Sequence, residues 1–180
     1  MKKKNKQFIQ HLHHEIELDN EKEVENYLSN SLPMIGDIVM CFNGLEKGLD
    51  SIICEIFTDR SDSTGLIVLH KMTYSTKVDL FKRFSDDFHS NSNLEIENYE
   101  NLIHNLKESG RLRNLVVHAD WENTDNDGYT YVNLKISKNG MEQEYIQFAE
   151  ESLMEIIKLL LKTRSELYKY WEIRNDKLYR

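Results

Sequence analysis

Proline is almost missing from this chain: Pro33 stands alone among 180 residues, and glycine occurs only seven times. So few chain breakers favour long helices over a many-stranded β fold built on tight turns. Long apolar runs are lacking too, and none approaches the roughly 18 residues that a membrane-spanning helix requires. The lysine-rich start (Lys2, Lys3, Lys4, Lys6) leads into polar residues and histidines rather than an apolar signal core, so a cytoplasmic protein is expected. There are only two cysteines, Cys41 and Cys54, both expected on one helix. Thirteen residues apart, they would be separated by about 20 Å, too far to bridge. They read as free thiols, and nothing supports a metal or catalytic role for either. An excess of positive charge is also absent, with a net charge of −8 and a pI near 5.4. That balance argues against an extended nucleic-acid-binding surface, because such surfaces are held mainly by phosphate neutralisation. It leaves room for a small site that needs no broad basic surface.

At this length the chain is expected to form a single domain over residues 1–180, with 1–30 as a polar helical extension. Phe8, Ile9, Leu12, Ile16 and Leu18 form a thin apolar stripe in that extension. His11, His13 and His14 lack carboxylate or cysteine partners at ligand spacing, so no metal is expected there. Pro33 suits the first turn of a helix running to about Phe57, with Ile35, Ile38, Val39, Phe42, Leu45, Leu49, Ile52, Ile53 and Ile56 at helical spacing. Gly36, Gly44, Gly48 and Ser51 lie among them and mark either a close helix approach or an exposed turn. After a polar loop at 59–64 come a short helix at 65–72 and another at 75–88. Ser90–Asn93 forms a loop, and a further helix runs from about Leu94 to His118. The period then changes to two. A turn at 123–128 precedes a hairpin whose strands meet at Lys138-Asn139-Gly140. A long helix from Ala149 to about Lys177 closes the chain. The fold class expected is mainly all-α, an antiparallel helical bundle with a small β-hairpin before the last helix.

The chemistry concentrates in Gly110-Arg111-Leu112-Arg113-Asn114-Leu115-Val116-Val117-His118-Ala119-Asp120-Trp121. At about 100° per residue, Leu102, Ile103, Leu106, Leu112, Val116 and Val117 define an apolar arc, and Arg113 falls near its centre. A guanidinium there needs a carboxylate, a wet cleft or an interface, since burying it alone costs several kcal/mol. Glu46 is one candidate partner. His104, Lys107, Arg111, Asn114 and His118 form a separate polar stripe. His118 lies about 140° around an ideal helix from Arg113, so one copy does not place both on a single face. The two converge if the helix loosens before Ala119, if the arginine wraps round, or if two copies of the helix meet. Imidazole can take or give a proton near neutral pH, and guanidinium can hold a phosphoryl group. Together they suit attack by a ribose 2′-OH on the adjacent phosphorus, with no metal required.

These residues resemble the Arg-x4-His signature of the HEPN superfamily (higher eukaryotes and prokaryotes nucleotide-binding domain). The resemblance rests on Arg113, Asn114 and His118, the apolar Leu115-Val116-Val117 between them, and the Ala119-Asp120-Trp121 that follows. It extends loosely from Pro33 through the last helix. It implies a HEPN-type bundle and a metal-independent endoribonuclease of the toxin or phage-defence kind, active as a homodimer whose two motifs share a cleft. Arg113, Asn114 and His118 would be catalytic, with Arg111 and Lys107 contacting the substrate and no cofactor. RNA is then the substrate, and an antitoxin or other protein is a further partner. The alternative is a non-catalytic HEPN-like dimerisation module that binds a protein or a nucleotide. A DNA-binding regulator is not expected, because the last helix interleaves Lys162, Arg164, Lys169, Arg174 and Lys177 with Glu166, Glu172 and Asp176.

Overall fold

Helical periodicity governs most of the chain. The computed structural model describes residues 1–7, 21–58, 63–125, 127–138 and 140–178. Among them are five helices: α1 (Glu21–Thr58), α2 (Ser63–Leu69), α3 (Tyr74–Ser92), α4 (Tyr99–Val117) and α5 (Glu150–Leu178). Four strands form one antiparallel sheet: β1 (Lys2–Gln7), β2 (Asp120–Thr124), β3 (Tyr129–Ser137) and β4 (Gly140–Gln147), in the order β1-β4-β3-β2. No described helix is long and apolar enough to cross a membrane.

The residues divide into two compact units. One comprises Met1–Val39 and Arg113–Ile157, the other Met40–Leu112 and Lys158–Arg180, so α1, α4 and α5 each contribute to both. The second unit is helical. Its core takes Phe42, Leu45, Leu49 and Ile52 from α1, Phe81 from α3, Leu106 from α4, and Leu160 and Leu167 from α5. Each such side chain contributes roughly 1.5–3 kcal/mol by leaving water. Lys77 is 7% exposed within this unit and holds Glu46 (2.8 Å) and Asp50 (2.9 Å). Glu46, the carboxylate considered for Arg113, is thus engaged by Lys77. Of the two readings of the α1 glycines, close approach holds at Gly44 and Gly48. A Cβ on Gly44 would lie 3.0 Å from Arg164 Nη1, and one on Gly48 2.9 Å from the Tyr168 hydroxyl, whereas Gly36 faces open space. Cys41 and Cys54 are not joined in a disulfide.

The first unit carries the sheet. Tyr145, Ile146 and Phe148 are buried there with Ile38, Val116, Leu153 and Ile156. Tyr27 of α1 donates to the Phe148 carbonyl and packs against Gly128, whose φ of +78° only a glycine adopts at little cost. The Asp125 carboxylate caps the β2–β3 turn, accepting from the backbone N–H of Tyr129 at 2.9 Å.

Several expectations are corrected. Lys2–Gln7 is a strand rather than part of a polar helix, because it pairs with β4 from Lys2↔Gln147 to Gln7↔Glu142. The histidine cluster at 11, 13 and 14 and the apolar stripe from Phe8 to Leu18 lie outside the described residues, as does the loop at 59–62. Pro33 is inside α1, twelve residues after its start, and not in its first turn. It is exposed, so water can serve the carbonyl its ring leaves unpaired. Helix α3 continues through Ser90–Ser92 and ends where Asn93 turns left-handed at φ 50°. The motif helix starts at Tyr99, not Leu94, since Asn98 (φ 63°) is also left-handed and breaks the run. The hairpin is the middle of a larger sheet, because Asp120–Thr124 adds an edge strand through Asp120↔Tyr131.

Candidate functional site

The apolar arc of α4 is buried along most of its length, with Val117 at its end half-buried. Leu102, Ile103, Leu106, Leu112 and Val116 are all buried. Gly110 is required where it stands, because a Cβ would meet the Tyr74 ring at 2.8 Å, and the Tyr74 hydroxyl donates to the Leu106 carbonyl at 3.0 Å. Beyond Leu112 the helix passes into the sheet-bearing unit, and the motif residues Arg113, Asn114 and His118 belong there.

Arg113 is half-buried, and its Nη1 donates to Asn114 Oδ1 at 3.0 Å. Asn114 and His118 are exposed. The His118 backbone N–H still donates to the Asn114 carbonyl at 3.0 Å, the i to i−4 bond of a helix. Helical spacing therefore persists up to His118, and loosening ahead of it does not bring the imidazole round to Arg113. Among the described residues, the link from Asn114 to His118 runs through the backbone and not the side-chain amide.

A fixed exit follows. The last carbonyls of a helix lack intrahelical donors. Here the Trp121 indole N–H donates to the Val116 carbonyl at 2.9 Å, and its ring packs 5.1 Å from Phe148. Asp120 begins β2 opposite Tyr131. The Ala119-Asp120-Trp121 segment thus folds the strand back onto the helix end and leaves His118 at the bend, in solvent.

The two candidate substrate contacts have intramolecular partners. Lys107 pairs with Asp79 at 3.2 Å. Arg111 takes Glu108 through two nitrogens at 2.6 and 2.7 Å, and this pairing holds the Glu108 carboxyl below its ordinary range and the guanidinium above its own. Both pairs lie at the surface, where such contacts are worth about 1 kcal/mol or less, so a phosphate can compete for either cation. No group of three or more metal-ligating side chains converges among the described residues.

Sequence reasoning missed one basic feature of this unit. Lys2, Lys4 and Lys6 share one face of β1, and their alternation is the signal that could have revealed it. Lys4 Nζ sits 5.2 Å from the Tyr129 ring centre and Lys6 Nζ 4.6 Å from that of Tyr145.

Comparison with protein-family models, with curated proteins and with solved structures finds no match for this chain.

Proposed function

We propose that this protein is a metal-independent endoribonuclease of the HEPN type, acting through Arg113, Asn114 and His118 in a cleft formed by two copies of the chain. The observation that carries the reading is the end of α4. A hydrogen-bonded Arg113–Asn114 pair stands one helical turn before an exposed histidine held at a fixed bend. Arg113 holds the phosphoryl oxygens and stabilises the charge that builds on them during attack. Asn114 fixes the guanidinium through its side-chain oxygen. The His118 imidazole removes the proton from the 2′-OH as that oxygen bonds to phosphorus. The His118 of the second copy protonates the departing 5′-oxygen as the P–O bond breaks.

Two copies answer the geometric difficulty within one helix, where Arg113 and His118 point about 140° apart. The role as a toxin or phage-defence effector, and neutralisation by a partner protein, belong to the same reading.

The experiment is incubation of single-stranded RNA with wild-type protein in EDTA, beside Arg113→Ala and His118→Ala. We expect cleavage by the wild type and a loss of about 10²–10⁴-fold in His118→Ala, the usual worth of a general acid–base group. Intact RNA with folded wild-type protein, or full activity in His118→Ala, would contradict the reading.

A further inference from the structure

The four-stranded sheet has two unlike faces. On one, Lys3 and Lys135 both bind the Glu144 carboxylate, at 3.3 and 3.0 Å, so their charge is met locally. On the other, the register places Lys2, Lys4 and Lys6 opposite Gln147, Tyr145 and Gln143 of β4. Those residues in turn stand opposite Tyr129, Tyr131 and Leu134 of β3. Among the described residues, Lys2 and Lys6 have no carboxylate partner, and Lys4 has a loose one in Asp125 at 3.6 Å.

We propose that this lysine–tyrosine face is a track for single-stranded RNA. The identity of the strand rests on the ribonuclease reading. The lysine row itself is a feature of the sheet. Alternate residues on a strand lie about 6.8 Å apart, so the three lysines stand in a line along β1, with Lys4 and Lys6 turned over the Tyr129 and Tyr145 rings. That spacing is close to the repeat of successive phosphates along an extended single strand. A duplex presents two backbones to a surface and gains less from one line of cations. Tyr129 and Tyr131 are half-exposed; Lys4 lies over the Tyr129 ring, and Tyr131 offers its ring to a base, the usual partner of a basic groove in single-strand binding.

One register row connects this edge to the motif. Lys4 is opposite Tyr145, Tyr145 opposite Tyr131, and Tyr131 opposite Asp120, which follows His118 by two residues. Three strand spacings make that row roughly 14 Å long. Tyr145 within that row is buried, so a strand held on β1 runs along the sheet edge rather than over the row.

The test is fluorescence anisotropy of the full chain with a 2′-O-methyl oligonucleotide of about ten nucleotides, within the usual span of single-strand sites. Such a strand has no free 2′-OH and cannot be cleaved by the proposed chemistry, so binding is read apart from catalysis. Lys2→Ala/Lys4→Ala/Lys6→Ala is expected to weaken binding at least about tenfold. It should also reduce the salt slope by about 2, at about 0.7 for each phosphate that is no longer neutralised. The control Lys71→Ala/Lys138→Ala/Lys158→Ala removes the same charge elsewhere and should bind as wild type does. Should the first triple variant fail to fold, Lys2→Ala alone must still lower the slope by about 0.7.

Equal losses in both triple variants would overturn the proposal, as would no binding by wild type. Binding to phosphatidylglycerol vesicles that the oligonucleotide cannot displace would assign the face to a lipid surface instead. Wild-type affinity in the β1 variants would leave the lysines only the role of blunting a sheet edge against pairing. The ribonuclease reading fails separately, when natural RNA is bound through these lysines and remains intact.

Discussion

Arg113 sits on the apolar arc of α4, where a guanidinium is costly to desolvate, and its bond to the neighbouring Asn114 keeps the planar head oriented. Its place near the centre of the arc was legible from spacing alone. Its partner was not, because residues i and i+1 do not face each other on a helix and only the length of the arginine allows the bond. A second titratable group, His89, makes a prediction unrelated to catalysis. Burial pushes its imidazole below the ordinary 6.5, against the opposing charges of Asp86, Glu95 and Glu100. As pH falls through 6.5 the unfolded chain takes up this proton and the folded one resists it, so stability is full above that value and declines below it. Thermal unfolding between pH 7 and pH 5.5 should show the melting temperature falling in wild type and falling less in His89→Gln. Parallel curves would refute that role for His89.

At the scale of elements, the long helices were readable because each repeats a buried stripe over many turns. Their ends were not, since these depend on single residues. Asn93 and Asn98 in left-handed conformations separate α3 from α4, although Leu94 and Ile96 continue a helical spacing. The two outer strands escaped for a different reason. Lys2–Gln7 has no apolar alternation of its own, and Asp120–Thr124 is short and composed partly of turn-forming types. Both become strands because β4 and β3 offer unpaired edges, a tertiary effect that local propensity does not encode. The strand β2 also fixes the candidate site. Trp121→Phe keeps a ring beside Phe148 but removes the donor to Val116. It should cost about 0.5–1.5 kcal/mol, the net worth of one hydrogen bond. Hydrogen exchange should accelerate over 116–124 and leave α3 unchanged. Unaltered exchange there would mean the indole does not hold the bend.

For the whole molecule, composition indicated a helical chain, and the described residues are mainly helical with one antiparallel sheet. The net charge of −8 pointed away from a broad nucleic-acid surface, and only the register of β1 shows how a few lysines are gathered on one face. The separation of Arg113 and His118 around one helix makes assembly part of the proposed mechanism. Sedimentation should give a particle of twice the 21.4 kDa chain, and specific activity should fall on dilution as the pair dissociates. Activity per chain that is constant through dissociation would place a complete site in one copy.

The most direct measurement of the central claim is the chemical identity of the RNA ends left by wild-type protein in EDTA, read by mass spectrometry beside His118→Ala. Attack by the 2′-OH predicts 2′,3′-cyclic phosphate on one fragment and a free 5′-hydroxyl on the other, with neither formed by His118→Ala. Fragments bearing 5′-phosphate, or cyclic phosphate formed equally well without His118, would contradict the account.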